Sequence, residues 1–241
     1  MPRFFVQGPV GETAYVGGED GRHIVRSLRM KPGEPLTLCD GAGYDYHGSI
    51  ESCDENGALV RVEEKVPCES EPALRVTVCQ CLPKADKLEL VAQKSVELGA
   101  CELRLVTSAR CIVKLDEKAA RKKTERLQKI ALEAAKQSGR GLIPEVFPPV
   151  TLETALREAR ERGESFLFYE GGGESLGSLL EQVGDALSIF VGPEGGFAPE
   201  EVELARKLGA KPATLGKRIL RTETAPLAAL AAIMALRGEL D

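Results

Sequence analysis

Two glycine-rich runs near the C-terminus hold the residues best suited to chemistry. The first is Ser188-Ile189-Phe190-Val191-Gly192-Pro193-Glu194-Gly195-Gly196-Phe197. A β-type apolar run stops there in a turn whose glycines lack a Cβ, so the backbone can press against a ligand. A helix-like segment over 199–208 follows at once. Strand, glycine-rich turn and helix are the usual frame for a nucleotide-like ligand at the end of a sheet. The glycine order is neither G-x-G-x-x-G nor a P-loop, because Gly216-Lys217 is followed by Arg218 and position 211 is not glycine. The second run is Leu215-Gly216-Lys217-Arg218-Ile219-Leu220-Arg221-Thr222-Glu223-Thr224-Ala225. It leaves a short apolar segment through a glycine, carries three cations and one carboxylate, and enters an Ala/Leu-rich helix over 226–236. Tyr169-Glu170-Gly171-Gly172-Gly173 closes a further strand-like run. Backbone amides of such loops can bind a base edge or a carboxylate, and composition alone leaves three ordinary turns as the alternative.

Together, VGPEGGF and LGKRILRTETA resemble the C-terminal signature of the bacterial 16S rRNA (uridine-N3)-methyltransferase family of the SPOUT superfamily. The resemblance implies an α/β fold, a trefoil-knotted, mainly parallel sheet covered by helices, with an S-adenosylmethionine site. It also implies a PUA-like RNA-binding β-barrel at the N-terminus, over 1–70, ahead of the methyltransferase domain over 74–241. The cofactor residues it implies are Tyr169, Glu170, Gly192, Pro193, Glu194, Gly195, Gly196, Leu215, Gly216, Ile219, Leu220, Thr224 and Ala225. Glu170 either meets a ribose hydroxyl or faces water. The reaction implied is methylation of N3 of the uridine at 16S rRNA position 1498, in the 30S subunit, by a cytoplasmic homodimer. The alternatives are a SPOUT enzyme acting on another RNA such as tRNA, or an S-adenosylmethionine-binding assembly factor.

Methyl transfer from a sulfonium needs no metal, but it needs the nucleophile in line. Uracil N3 carries a proton and attacks poorly until that proton leaves. The site must therefore take the proton or stabilise the charge that spreads to O2 and O4. Arg218 and Arg221 suit the second task, and Glu223 and Glu194 the first. For Glu223 the alternative is simple placement at a helix N-terminus, where a carboxylate is favoured. For Arg221 it is a surface ion pair.

Lys84, Arg110, Gln137 and Arg140 match the family's RNA-facing positions, the last two within Ala135-Lys136-Gln137-Ser138-Gly139-Arg140. Arginine and lysine suit phosphates, and glutamine can reach a base edge. Arg22, His23, Arg26 and Arg29 form a second basic cluster, with no acid anywhere in 21–33. Residues 110–140 carry a net charge of +6 inside a chain of −5. Local basic patches on an acidic body suit a protein that engages RNA at chosen places. A solvated helix face is the alternative for the long charged helix. Where the family's turn reads Arg-Ser, this chain has Arg110-Cys111, and Leu127 stands where an aromatic is common.

These residues need a scaffold. At 241 residues with 43% apolar content, the chain can bury one large or two modest cores. No apolar run is long enough to span a membrane, and the N-terminal stretch lacks a signal-peptide core. Seven cysteines, an odd number, fit reduced thiols in a cytosol. Cys79 and Cys81 share one strand face and read as small core residues rather than metal ligands. Up to residue 67 the chain reads as a small β unit. Short runs such as 35–39 and 58–66 lie between Gly/Asp turns, Asn56-Gly57 signals a hairpin, and a helix-like piece spans 20–30. A linker over 68–73 precedes alternating strands (74–82, 102–107, 165–169) and helices (84–98, 118–138, 151–162). That alternation predicts a mainly parallel, helix-covered sheet.

Overall fold

The structure is a computed structural model that describes residues 1–6 and 8–240. The chain divides into two compact units, one of 1–71 with 135–143, the other of 72–134 with 144–241.

The N-terminal unit is a five-stranded sheet: β1 (Arg3–Phe5), β2 (Thr13–Val16), β3 (Pro35–Cys39), β4 (Tyr44–Cys53) and β5 (Ala58–Pro67). The strand order is β1-β3-β4-β5-β2, parallel only between β1 and β3. Register shifts at His47/Gly48 and Ile50/Ser52 curl the long β4–β5 ribbon, because a bulge bends the strand that carries it. Gly48 sits at one shift, where a Cβ would strike the carbonyl of Arg61. The β4–β5 hairpin turns at Asn56-Gly57 as the sequence predicts, but not through a left-handed residue. Asp54 caps it by accepting from the amides of Asn56 and Gly57. Glycine is required at 57 because a Cβ would meet the carbonyl of Val16. The helical piece over 20–30 is α1 (Gly18–Arg22) followed by a π-helical segment (His23–Leu28), closed by Arg29 in the left-handed region at φ 54°. Phe4, Ile24, Leu36, Leu38 and Val60 form the core.

The second unit holds a seven-stranded sheet, all parallel: β6 (Arg75–Cys81), β7 (Glu102–Thr107), β8 (Glu145–Thr151), β9 (Glu164–Phe168), β10 (Glu174–Ser175), β11 (Ala186–Val191) and β12 (Lys211–Thr214). Its order is β10-β12-β9-β11-β6-β7-β8. The helices are α2 (Lys87–Glu97), α3 (Glu117–Ser138), α4 (Leu152–Arg162), α5 (Leu176–Leu180), α6 (Pro199–Lys207) and α7 (Ala225–Leu236). From residue 135 onward α3 belongs to the first unit. On one face α4 and α6 pack over Cys79, Cys81, Leu167, Phe190 and Phe197. Burial pushes the Cys79 thiol up to about 12 and Cys81 up as well, as expected of core thiols. On the other face α7 packs on β6 and β11, with α2 beside it. The buried face of α2 is Leu88, Val91, Ala92, Ser95 and Val96.

The predicted alternation of strand and helix is therefore present, with β8, β10, β12 and α5 added to it. Strand β8 lies at the sheet edge, where proline is tolerated. Pro148 and Pro149 stand opposite the single residue Leu105 as a bulge. Among the described residues, no helix is long and apolar enough to cross a membrane.

Candidate cofactor cleft and its surroundings

Strands β12, β9 and β11 are neighbours, so their carboxyl ends place three loops side by side. These are the three loops singled out in the sequence. They enclose a cleft of about 510 Å³. Tyr169, Glu170, Gly192, Pro193, Glu194, Gly195, Gly196, Leu215, Gly216, Ile219, Leu220 and Ala225 all line it. Thr224 does not; Thr222 takes that place, with Lys217, Arg218 and Arg221. A cleft at the carboxyl edge of an open parallel sheet, of this size, is where a small ligand binds.

The glycines shape the walls. Gly196 has φ +66°, and a Cβ there would run into the Glu170 carboxylate. Gly216 has φ +94°. Both are conformations that side chains rarely adopt. Pro199 opens α6 at its first turn, and Glu201 accepts from the amide of Ala198 at 2.8 Å and from that of Ala109 at 2.7 Å. One carboxylate thus ties the helix start to the turn after β7.

Arg218 and Arg221 are exposed on the cleft, and Ile219 is 86% exposed. Neither arginine forms an ion pair among the described residues, so both guanidinium groups stand available to an anionic or polar ligand. Glu223, expected beside them as a base, lies outside the lining. Its Oε2 is 3.2 Å from Lys87 Nζ. The same ammonium is 2.9 Å from Glu194 Oε1, which also accepts from the amide of Lys84 at 3.1 Å. Partial burial works against the charge on Glu194, but Lys87 and the Lys84 amide outweigh it and hold the carboxyl below its ordinary value. In return Glu194, then Glu223, raise Lys87. A carboxylate so held is a weak base.

Beneath the cleft the fully buried Gln80 donates to Thr222 Oγ1 at 3.0 Å, and Thr222 donates to the Gly192 carbonyl at 2.7 Å. Sequence reasoning missed Gln80, Lys87 and Thr222. Their partners lie 142, 107 and 30 residues away, and the only local signal was Thr222 inside a singled-out run.

The residues expected to face RNA divide. Lys84 is exposed, and its backbone serves Glu194. Arg110 turns to the cleft loop: its Nη1 donates to the Gly195 carbonyl at 2.7 Å, and its stem packs on Gly195. In the N-terminal unit Arg22, His23, Arg26, Arg29 and Gln137 are exposed. Arg140 does not share that exposure. It is 3% exposed, and its guanidinium grips Glu71 through Nε at 3.2 Å and Nη2 at 2.6 Å. Glu71 also accepts from the amides of Gly141 and Leu142. The arginine is a structural tie, because a bidentate pair this buried leaves no free fork for a phosphate.

Comparison with known proteins agrees with this architecture. A model of the RNA methyltransferase domain matches residues 69–234, and one of the RNA methyltransferase PUA domain matches 16–63. Ribosomal RNA small subunit methyltransferase E of Bacillus subtilis is 36% identical, over 97% of this chain and 96% of the relative. The protein of that name from Mycobacterium tuberculosis is 32% identical, over 96% and 89%. The Neisseria gonorrhoeae protein of that name, solved bound to S-adenosyl methionine, superposes with a TM-score of 0.86 at 34% identity, covering 98% of each chain. A Legionella pneumophila protein solved with bound SAM gives 0.82 at 33%, covering 97% of this chain and 96% of that one. A PUA-bearing N-terminal unit, a parallel sheet with a loop-built cleft, and matches over nearly its whole length thus make this chain a member of the RNA methyltransferase family.

Proposed function

We propose that this chain transfers a methyl group from S-adenosylmethionine to N3 of a uridine in 16S rRNA, at the position numbered 1498, in the 30S subunit. The observation that carries the reading is the cleft itself, where three glycine-shaped loops meet beside two unpaired arginines. Its volume, its mixed walls and its crowded glycines fit a nucleoside-sized cofactor. Loops 169–170, 192–196 and 215–220 would hold it. When bound, S-adenosylmethionine supplies the electrophilic methyl group.

The chain's own residues do the rest. Arg218 and Arg221 would meet the charge spreading to uracil O2 and O4 as the N3 proton is lost to solvent water and the methyl group passes to N3, with S-adenosylhomocysteine leaving. A fixed cation at developing charge is commonly the largest single contribution to catalysis. Glu194 and Glu223 are both engaged by Lys87, which favours charge stabilisation over a carboxylate base. Gly195 and Arg110 brace the loop. The exposed Arg22, His23, Arg26, Arg29 and Gln137, with Lys84, would receive RNA phosphates and bases. The path of 215–225, from β12 through Thr222 into a helix packed on β6 and β11, fits the trefoil-knotted SPOUT arrangement. The half-exposed apolar face of α7 suits a homodimer, and the setting would be the cytoplasm.

The test is transfer from labelled S-adenosylmethionine to unmethylated 30S subunits, naked 16S rRNA and bulk tRNA in parallel. Label in 16S rRNA alone is expected. Label in tRNA alone would overturn the substrate, and binding of the cofactor with no transfer would make the chain an assembly factor.

A further inference from the structure

Two clasps fasten the loop after β11 to the loop after β12, and both start from β6 and the turn into α2. The first is neutral and buried. It runs from the Gln80 amide to the Thr222 hydroxyl and on to the Gly192 carbonyl, at 3.0 and 2.7 Å. Its direction is fixed, because a carbonyl can only accept and the hydroxyl must therefore donate to it. The second is ionic. Lys87 spans Glu194 and Glu223 at 2.9 and 3.2 Å. Each clasp joins one residue of each loop: Gly192 with Thr222, Glu194 with Glu223.

Two features mark the arrangement as more than packing. Gln80 is fully buried and its Oε1 has no hydrogen-bond partner. An apolar residue there would avoid that cost, so an orphaned buried oxygen calls for a function. Ala85, between Lys84 and Lys87, holds φ +56°. Strain of this kind at a non-glycine residue persists only where surrounding contacts enforce it, and it collects at functional sites.

We propose that Gln80 and Lys87 are positioning residues for methyl transfer. They lock the Gly192–Gly196 loop and the Arg218–Arg221 loop at one spacing, so that the two arginines are presented at a fixed distance from the cofactor loop. This rests on the reading of the cleft as the methyl-transfer site. Lys87 acts through the two carboxylates rather than on the reacting atoms. A purely structural surface ion pair, by contrast, contributes little, and its loss would leave kinetics alone.

The test uses the full-length chain with Gln80→Leu, Lys87→Met and Lys87→Arg. Three quantities are read: S-adenosylmethionine affinity by calorimetry, single-turnover transfer to 30S subunits at saturating cofactor, and hydrogen exchange across 192–197 and 215–224. Lys87→Met is expected to slow transfer about tenfold or more, since small misplacements carry such costs. Lys87→Arg should recover most of that rate. Gln80→Leu is expected to weaken the cofactor about tenfold. In Gln80→Leu and Lys87→Met alike, exchange should rise in both loops together.

Wild-type rate, affinity and exchange in those two variants would overturn the proposal. So would a loss that disappears when rates are expressed per folded molecule, read from melting curves. If the wild type binds no S-adenosylmethionine, the cofactor reading fails instead, and with it the role in transfer. Exchange coupling between the loops would then still separate a loop clasp from ordinary packing.

Discussion

Arg221 and Arg218 sit exposed on the cleft and form no ion pair among the described residues, while Glu194 and Glu223 are both taken up by Lys87. On the proposed reading, catalysis falls to the arginines. Arg221→Ala should lower the single-turnover rate by about 10²-fold or more, as loss of one charge-stabilising donor does, and leave cofactor affinity within a few-fold. An unchanged rate would remove Arg221 from the mechanism. Cys111 gives a pH prediction. A hydrogen bond from Cys81, joined by Ser108, outweighs burial and lowers its thiol from 9.0 to about 6. The thiolate forms as pH rises through that value, so alkylation of Cys111 should reach half its plateau near pH 6. Cys79 and Cys81, buried and shifted up, should stay unlabelled in the native protein; peptide mass spectrometry reads all three. At this scale the glycine loops and their arginines were legible, because contiguous residues build each loop. Lys87 and Gln80 were not, since their partners lie more than a hundred residues off. The burial of Arg140, expected to face RNA, was hidden for the same reason: its partner Glu71 lies 69 residues earlier.

The turn between β6 and α2 shows how an element is bent to serve a site. Ala85 adopts φ +56°, which puts the Lys84 amide on Glu194 and brings Lys87 to the same carboxylate. A left-handed conformation costs an ordinary residue about 1–2 kcal/mol, and glycine escapes it at some entropic cost. Ala85→Gly should thus raise stability by up to about 1 kcal/mol in urea unfolding; a loss would mean that the alanine methyl packs more than the strain costs. Elements with a strong period and clear punctuation, such as α2, α4, β6 and β7, could be read from the chain. The rest could not. Strand β8 contains Pro148-Pro149, which argues against a strand anywhere but at an edge with a bulge, and only the sheet order reveals the edge. α5 and β10 are too short to show a period. The helix over 20–30 lost its α-periodicity to a π-helical segment, which a count of apolar spacings does not anticipate.

Charge and shape are settled only by the whole molecule. The +6 segment of the sequence is partly spent internally. Glu89 takes Lys123 and Arg126, Asp20 takes Lys136, and Glu71 takes Arg140. Exposed Lys114, Lys118, Lys122 and Lys129 remain. Basic patches read from composition therefore overstate the free positive charge, and exposed Arg22, Arg26 and Arg29 join these lysines as candidates for the proposed RNA contact. α7 is apolar throughout, yet Leu227, Ala228, Ala231 and Ala232 are only half-buried and Leu236 is 60% exposed. If that face joins two copies, the wild type should sediment at twice 25.9 kDa, and Ala231→Arg should sediment as a monomer. A monomeric wild type would refute the dimer. The central claim is the atom methylated, and reverse-transcription arrest on 16S rRNA from treated 30S subunits tests it most directly, since an N3 methyl blocks base pairing. One new arrest is expected, at the uridine numbered 1498, dependent on S-adenosylmethionine and lost in Arg221→Ala. Methyl label incorporated without that arrest, or arrest at another nucleotide, would contradict it.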